Sequence, residues 1–376
     1  MAVGIALMGA GIFAQTEHLP AIEACNLLTL KAVYSRSQAT AEALAAKATA
    51  SSDFQTYFDE PAVPGRSLAD LLARADIAAV AVCMPIALQP QAIRKVLAAG
   101  KHVISEKPVA ETVASARSLL AEYRQACAAA TAAGTRPSVW AVAENYRYQA
   151  SLHLAADKVR EIGGSLVTFH LSSSKFVGPD INYFNTPWRK VPTHPGGFLL
   201  DGGIHDLAGL RTLLNAVPNS ADKNRITKVT SATSQLLEIL PPIDTLRAVA
   251  VTAGGASGVL TMSFGTEFGP EFKASVTTTE GRVTWRQDRV TVVRRNPQEG
   301  QPPIEVTFPC AAGLPGYPAA EANGVKPEFA AFARSVADAN GVVDPRQSPE
   351  EALADLELME AMFDSGAAGG APREIV

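Results

Sequence analysis

Up to about residue 145, the chain alternates short apolar runs with alanine-rich stretches of helical periodicity. The apolar runs are nearly continuous, which is typical of strands buried on both faces. Because parallel strands are joined by crossovers that are usually helices, the alternation predicts a doubly wound parallel sheet of the Rossmann type. The predicted strands are "VGIALMG", "LTLKAVYS", "IAAVAVCM", "KHVISEK" and "SVWAVAEN".

Beyond residue 145 the pattern changes to successive short strands with partial alternation, separated by Gly, Pro and Asp turns, and then to two C-terminal helices. This pattern predicts an α+β domain with a large, mostly antiparallel sheet. We therefore predict two domains, 1–145 for the dinucleotide and 146–376 for substrate binding and oligomerisation. The predicted strands are "GSLVTFHLSSSKF", "ITKVTSATSQLLEI", "TLRAVAVTA", "SGVLTMSF", "FKASVTTT", "GRVTWRQ" and "RVTVVRR".

Charge and cysteine usage exclude several classes of protein. The net charge is -4 and basic residues form no long block, which argues against nucleic acid or an anionic membrane as a partner. The apolar N-terminus has no basic segment and is broken by Gly4, Gly9 and Gly11, so it fits neither a signal peptide nor a membrane span. The four scattered cysteines predict reduced thiols in a cytoplasmic protein, and no metal-ligand spacing is present, so we predict no metal.

The first strand runs into a glycine loop, Gly9-Ala10-Gly11-Ile12-Phe13-Ala14, which opens a helix. Gly9 permits a tight turn, Gly11 permits close approach of the backbone to a pyrophosphate, and the small Ala14 suits helix–strand packing. The motif alone is weak evidence. Placed after the first strand of an alternating β/α region, it predicts a dinucleotide site.

The second strand ends at Ser35, Arg36 and Ser37, where an NAD-preferring site usually has a carboxylate on the ribose 2'-hydroxyl. A guanidinium can hold a 2'-phosphate in a fork, and a hydroxyl can donate to it. The segment predicts NADP as the preferred cofactor, with NAD possible as a second. The alternative is that Arg36 is a solvated loop residue.

Three further residues suit proton and hydride chemistry. Lys107 follows a strand predicted to be buried and precedes Pro108, at the carboxyl edge of the sheet where ligands bind in doubly wound folds, and could stabilise negative charge on a substrate oxygen. Asp201 and His205 are four residues apart, on one face of a helix, and histidine can move a hydroxyl proton near neutral pH. The alternative for the isolated D-x-x-x-H is a helix cap with a surface histidine.

The motifs "GAGIFA", "AAGKHVISEKPVA" and "GGFLLDGGIHDL" together resemble the Gfo/Idh/MocA family, the glucose-fructose oxidoreductase and inositol dehydrogenase group. The resemblance implies that Lys107, Asp201 and His205 form the catalytic trio. The sequence departs from the family at Gln89, where histidine is frequent, and at Ala208, where aspartate is frequent. The further residues that the resemblance implies are Met84, Pro85, Gln89, Glu106, Lys107, Asn145, Trp188 and Arg189 for the cofactor, and Arg147 and Tyr183 for the substrate.

These residues predict an NADP-preferring oxidoreductase that moves a hydride between nicotinamide and a sugar, polyol or related hydroxy or keto metabolite. Two alternatives stay open: reduction of an imine or an unsaturated secondary metabolite, and a non-catalytic regulator that senses the nucleotide on the same fold. The apolar residues of the second sheet predict a homodimer or homotetramer.

Overall fold

A computed structural model describes residues 2–49, 53–218, 221–310, 323–338 and 341–375. The chain forms two compact units. The first contains the residues up to Glu144 together with Val325–Leu353, and the second contains Asn145–Gly324 and the residues from Ala354 onward. The sequence analysis placed everything after residue 145 in the second domain, because local patterns do not show which core a distant helix joins.

The first unit is built on a six-stranded parallel sheet with the order β3-β2-β1-β4-β5-β6. The five strands predicted from the sequence are present, and the sequence analysis missed β3, whose three residues are too few for a periodic pattern. The strands are β1 Val3–Met8, β2 Leu28–Tyr34, β3 Gln55–Tyr57, β4 Ala79–Val82, β5 His102–Glu106 and β6 Trp140–Ala143.

The helices of this unit lie between the strands and after Gly324. Side-chain caps set several of their first residues: Ser67 and Asp70 form a reciprocal capping box, and Thr112 accepts a hydrogen bond from the Ser115 backbone N–H. The helices are α1 Leu19–Ala24, α2 Gln38–Ala45, α3 Leu68–Ala73, α4 Gln89–Ala98, α5 Val113–Ala132, α10 Val325–Ala337 and the first residues of α11 Pro349–Ala367.

Helix α10 joins the first unit through its apolar face. Val325, Phe329 and Phe332 are at most 1% exposed and lie in the same core cluster as Ile5 and Leu7 of β1. Fully burying a phenylalanine stabilises a fold by about 1.5–3 kcal/mol, so this face alone accounts for where the helix packs.

The contact between β5 and β6 includes a histidine that acts as an acceptor. The Val139 backbone N–H donates to His102 Nδ1 at 2.8 Å. Burial first, and the nearby Arg136 second, lower the pKa of His102 to about 4. The ring is therefore neutral at pH 7, and its Nδ1 lone pair satisfies a buried backbone donor.

The second unit carries a nine-stranded sheet with the order β14-β13-β12-β11-β7-β10-β9-β8-β15. Neighbouring strands are antiparallel except β7 and β10, which are parallel. The strands are β7 Leu166–Ser174, β8 Ile226–Ser234, β9 Thr245–Thr252, β10 Ser257–Ser263, β11 Glu271–Thr278, β12 Gly281–Arg286, β13 Arg289–Arg294, β14 Ile304–Pro309 and β15 Arg373–Glu374. The sequence analysis missed the two edge strands, β14 and β15, which are largely exposed and so lack a buried apolar face.

The helices of the second unit are α6 Ala150–Ile162, α7 Pro187–Lys190, α8 Gly197–Asn215, α9 Ala221–Asn224 and the remainder of α11. Helices α6 and α8 pack against this sheet. Among the described residues, none of the helices combines the length and the apolarity that a membrane crossing needs.

Helix α8 packs unusually close to the sheet because glycines replace side chains at its contacts. A Cβ atom on Gly203 would lie 2.9 Å from Met262 Sδ, and one on Gly209 would lie 2.4 Å from the Trp285 ring. Each glycine in a helix interior costs roughly 0.5–1 kcal/mol relative to alanine, so the close approach must offset that cost. Gly203 and Gly209 thus have a packing role.

Candidate functional site

The glycine loop follows β1 at the point where the strand order of the parallel sheet reverses. Gly9 has a φ of 108°, and a Cβ atom there would lie 2.0 Å from the Cys83 carbonyl oxygen, just after β4. Only glycine fits both the backbone conformation and the close approach. The loop therefore lies at the carboxyl edge between β1 and β4, where dinucleotides bind in doubly wound folds.

Gly11 has a different environment. It is exposed, its φ is not in the left-handed region, and a Cβ atom there would meet no heavy atom within 4 Å. The protein's own packing therefore does not require glycine at this position. The helical stretch begins at Ile12, and Ala14 is fully buried behind it. An open cradle before a helix N-terminus fits a pyrophosphate, whose oxygens need a close backbone approach.

The helix after the glycine loop contacts β5, the strand that directly precedes Lys107. His18 is fully buried in a π-helical turn, Ala14–His18, and its Nε2 atom lies 2.6 Å from Glu106 Oε1. The His18 ring also meets the Phe13 and Phe329 rings edge to face. The sequence analysis did not single out His18, since 88 residues separate it from Glu106 and no local pattern connects them.

Cys83 joins this pair: candidate ligand atoms of His18, Cys83 and Glu106 lie within 4.8 Å of one another. Such a trio could hold a metal ion, although the sequence spacing predicted no metal. The hydrogen bond between His18 and Glu106 already uses one atom of each residue. We interpret the pair as a structural link between the glycine-loop helix and β5.

The residues predicted to read the ribose lie around the end of β2. Arg36 has an 81% exposed side chain, and its Nε atom lies 3.8 Å from Glu60 Oε2. Ser37 caps α2 by accepting from the Thr40 backbone N–H, and Ser35 Oγ lies 2.7 Å from Thr40 Oγ1. The sequence analysis missed Glu60, which is brought beside Arg36 by the backbone N–H groups of Asp59 and Glu60, both donating to the Arg36 carbonyl.

Asp59 provides a second carboxylate near the end of β2, and its oxygens accept hydrogen bonds from other residues of the protein. Asp59 accepts the Tyr34 hydroxyl at 2.7 Å and the Leu68 backbone N–H at 3.0 Å. Burial, followed by the hydrogen bond to Asp59, raises the pKa of Tyr34 well above its ordinary value, so the phenol remains a donor at any working pH. Asp59 therefore anchors the loop after β3.

The loop after β4 contains the next group of predicted cofactor residues. Met84 lies against the glycine loop, with its Cγ atom 3.5 Å from a Cβ position on Gly9, and Pro85 precedes a 3₁₀ turn at Ile86–Leu88. Gln89 is fully buried, and its amide group donates to the Pro108 carbonyl over a long 3.5 Å. The Gln89 side chain therefore faces the segment after Lys107, and the cofactor contact expected for it stays a prediction.

Lys107 follows the last residue of β5, as the sequence predicted, and its side chain is partly exposed. Its neighbours in sequence are held in place, since Glu106 contacts His18 and the Pro108 carbonyl accepts from Gln89. A lysine at the carboxyl edge of a parallel sheet stands where a ligand bound at that edge can meet it.

In the second unit, Asp201 and His205 both lie on α8, and the helix predicted through both residues is present. From Gly197 to Leu210 the helix is buried except at two partly exposed positions, Gly202 and His205. Asp201, which is 8% exposed, adjoins the first of these positions. Gly202 and His205 form the accessible strip of the helix, and the Asp201 carboxylate is buried directly beside it.

Arg189 holds the Asp201 carboxylate. Arg189 Nε donates to Asp201 Oδ2 at 2.7 Å, and the two side chains are only 15% and 12% exposed. The guanidinium lies 4.0 Å from the centre of the Trp188 ring and 5.3 Å from that of Tyr183. The sequence analysis predicted cofactor contacts for Trp188 and Arg189 and a substrate contact for Tyr183, but not their connection to Asp201.

His205 is stacked on an aromatic ring. The ring centroids of His205 and Tyr146 are 4.6 Å apart with an interplanar angle of 18°, and Gln287 donates to the Tyr146 hydroxyl at 2.9 Å. The stack restricts the orientation of the imidazole while leaving it partly exposed, which suits a group that exchanges a proton with a ligand. Tyr146 was not identified from the sequence, because an aromatic residue in a turn has no distinctive pattern.

Two other predicted residues have structural contacts. Arg147 is 4% exposed, and its guanidinium donates to Asp355, which also accepts from Arg211. The substrate contact that the resemblance implies for Arg147 stays a prediction. Asn145 donates through its side-chain amide to the Asn323 carbonyl at 2.6 Å.

Comparisons with known proteins agree with the motifs. The Gfo/Idh/MocA profile, described as an oxidoreductase family with an NAD-binding Rossmann fold, matches residues 3–132. A profile of the family's C-terminal alpha/beta domain matches residues 125–373. The chain belongs to the Gfo/Idh/MocA family. This Gfo/Idh/MocA protein is therefore an NAD-binding oxidoreductase by family, on the parallel and mostly antiparallel sheets expected from its sequence.

Among similar proteins, the dehydrogenase FPY6 of Fusarium mangiferae is 43% identical over 368 residues, which cover 98% of this chain and 97% of that protein. An oxidoreductase from Thermotoga maritima superposes with a TM-score of 0.78 at 24% identity, covering 100% of this chain and 99% of the other. Levoglucosan dehydrogenase in complex with NADH superposes with a TM-score of 0.78 at 19% identity, and each chain is covered completely. The two structural likenesses support the fold.

The two glycines of the loop should respond differently to alanine. We expect Gly11→Ala to fold with an unchanged melting temperature, since its Cβ atom meets nothing, but to weaken nucleotide binding by roughly tenfold or more. Gly9→Ala should lower the melting temperature, because its Cβ atom would overlap the Cys83 carbonyl. Calorimetric titration with NADPH and NADH, beside thermal denaturation, measures both effects. Unimpaired nucleotide binding by Gly11→Ala would show that the open cradle is not the pyrophosphate site.

Proposed function

We propose that this protein is an NADP(H)-preferring dehydrogenase or reductase that acts on a CH–OH group of a sugar, a polyol or a related metabolite. The observation that carries the proposal is the accessible strip of α8, where an arginine-held carboxylate and a ring-stacked imidazole are one helical turn apart. A family of NAD-binding oxidoreductases and a glycine cradle that accepts a pyrophosphate support it.

Alcohol oxidation removes a hydride from carbon and a proton from oxygen. A nicotinamide cofactor held at the glycine loop of Gly9 and Gly11 would supply the hydride acceptor. His205 takes the hydroxyl proton, because a neutral imidazole is a base suited to neutral pH. Asp201, held by Arg189, orients the substrate or the imidazole, and Lys107 donates to the substrate oxygen as negative charge develops on it. Ketone reduction follows the same steps in reverse.

The proton-transfer role is tested with His205→Gln and Lys107→Met, assayed on a panel of sugars, polyols and the corresponding ketones with NADP(H) and NAD(H). Losing an acid–base group lowers kcat by roughly 10²–10⁴-fold, and we expect a loss of this size for His205→Gln. Lys107→Met should lose a comparable factor, roughly 10²–10³-fold, through weaker oxyanion stabilisation. Nucleotide affinity of His205→Gln should remain unchanged.

His153→Gln serves as the control, since His153 is partly exposed on α6. Retained activity in His205→Gln would remove the proposed base. Nucleotide binding by the native chain without turnover of any panel member would instead favour a nucleotide-sensing regulator.

The NADP preference rests on the end of β2. Arg36 is exposed and only loosely paired with Glu60, so its guanidinium can turn to a 2'-phosphate, and Ser35 and Ser37 add hydroxyl donors nearby. Asp59, the other carboxylate near the end of β2, already accepts hydrogen bonds from Tyr34 and Leu68. Glu60 opposes this preference by its negative charge.

We expect NADPH to bind more tightly than NADH, and Arg36→Ala to weaken NADPH binding about tenfold, which corresponds to about 1.4 kcal/mol, with little effect on NADH. Glu60→Gln should strengthen NADPH binding, because it removes the opposing charge. Parallel calorimetric titrations give the affinities. Arg124→Ala is the matched control, because Arg124 is an exposed arginine of the same unit paired with Glu350. Equal losses for both nucleotides in Arg36→Ala would contradict the assignment.

We propose that the protein forms a homo-oligomer through the outer face of the second sheet. Val249 of β9 and Val259 of β10 are register partners and are 49% and 41% exposed, and His170 of β7 extends the row. Exposed valines in register form an apolar patch that a second copy can cover.

Light scattering during size-exclusion chromatography should therefore give a dimer or tetramer mass for the native chain. Val259→Asp should give a smaller species, because a carboxylate buried in an apolar interface carries a large desolvation cost. Val342→Asp is the control, since Val342 is 61% exposed and lies in the first unit. A native monomer at micromolar concentration would refute the proposal.

A further inference from the structure

Lys175 occupies a defined position next to the accessible strip of α8. It directly follows β7, and Phe264 directly follows the parallel neighbour β10, whose last residue Ser263 pairs with Ser174. The Lys175 backbone N–H donates to the Ser263 carbonyl at 2.9 Å, and the Lys175 carbonyl accepts from the Thr266 N–H at 3.1 Å. Hydrogen bonds on both sides of the residue therefore fix where its side chain begins.

The side chain of Lys175 reaches the helix at Gly202. Its Nζ atom lies 4.2 Å from the centre of the Phe264 ring and 3.7 Å from the position a Cβ atom on Gly202 would take. Gly202 is next to Asp201 and is one of the two partly exposed positions in this half of α8, with His205 the other. The ammonium group therefore stands over the surface that a substrate of His205 would cover.

The charges around this surface do not cancel. Arg189 and Asp201 form an ion pair and together carry no net charge. Within the described ranges, no carboxylate lies within ion-pair distance of Lys175 Nζ. The ammonium group instead makes a cation–π contact with the face of the Phe264 ring. A ring face attracts a cation but offers no lone pair, so the three N–H donors of the ammonium still need acceptor atoms.

We propose that Lys175 binds the carboxylate of an anionic substrate, so that the CH–OH compound oxidised at His205 is an acid sugar or another hydroxy acid. The proposal rests on the proposed function, and it narrows the substrate class. A carboxylate supplies both the negative charge and the acceptor atoms that the ammonium lacks, whereas a neutral polyol supplies only acceptors. Lys175 thus acts as a specificity residue in addition to the proton-transfer group.

The test compares sugars that differ at one group, which is a carboxylate in one member of each pair and CH2OH in the other. The pairs are D-glucuronate with D-glucose and D-galacturonate with D-galactose, each assayed with NADP+ and NAD+. For the native chain we expect kcat/KM to be at least tenfold higher for an anionic member than for its neutral partner. Lys175→Met should lose at least tenfold on the anionic member through KM and less than threefold on the neutral one. Lys175→Arg should recover most of the preference, which a merely structural role would not produce.

Lys158→Met is the matched control, because Lys158 also lies over a ring, that of Phe308, but is paired with Glu161. Calorimetric titration of the uronates into each variant with bound NADP+ measures binding independently of turnover. One outcome is that Lys175→Met loses uronate binding, Lys158→Met keeps it, and no compound is turned over. This result would support the carboxylate site and count against the dehydrogenase function. Turnover of neutral sugars with no preference for uronates, or equal losses on both in Lys175→Met, would overturn the carboxylate site while leaving the dehydrogenase function. Absence of uronate binding to the native chain would also overturn it.

Discussion

The nucleotide-binding unit depends on one backbone contact, the approach of Gly9 to the Cys83 carbonyl. The contact brings the ends of β1 and β4 together where the strand order reverses, and any side chain at Gly9 would separate them. With these ends joined, the helix that starts at Ile12 must begin directly over the sheet edge. His18, on the same helix, then reaches Glu106 on β5. The glycine loop and the Glu106-Lys107 segment are thus parts of one rigid arrangement, although they are about a hundred residues apart in sequence.

In the second unit, the candidate functional residues are positioned by the close packing of α8 against the sheet. Gly203 and Gly209 let α8 lie against Met262 and Trp285 without intervening side chains, which leaves almost no room on the sheet side of the helix. The helix therefore buries nearly all of its first half, including Asp201, and is partly exposed only at Gly202 and His205. Close packing thus leaves His205 as the accessible polar side chain of this half, with the Asp201 carboxylate beside it. The glycines and the functional residues alternate along α8, because close packing at the glycines determines which neighbouring residues stay exposed.

Much of the fold and part of the candidate site were predictable from local patterns in the sequence. Continuous apolar runs predicted the buried strands of the parallel sheet, and the four-residue spacing of Asp201 and His205 predicted their common helix face. Contacts between distant segments were not predictable: His18 with Glu106, Arg36 with Glu60, Arg189 with Asp201 and Tyr146 with His205. Arg147 shows the same limit, since the resemblance implied a substrate contact but gave no sign of its buried ion pair with Asp355, far along the chain. Spacing specifies neighbours within an element, and the fold specifies neighbours between elements.

The contacts of Asp201 and His205 assign different tasks to the two residues. Asp201 accepts a short, charge-assisted hydrogen bond from Arg189 in a site with little water, so removing its charge would also break that bond. His205 has an aromatic partner in Tyr146, and the ring stack restrains the plane of the imidazole. In the proposed reaction the proton transfer is therefore assigned to His205, and Asp201 with Arg189 forms a fixed polar frame beside it.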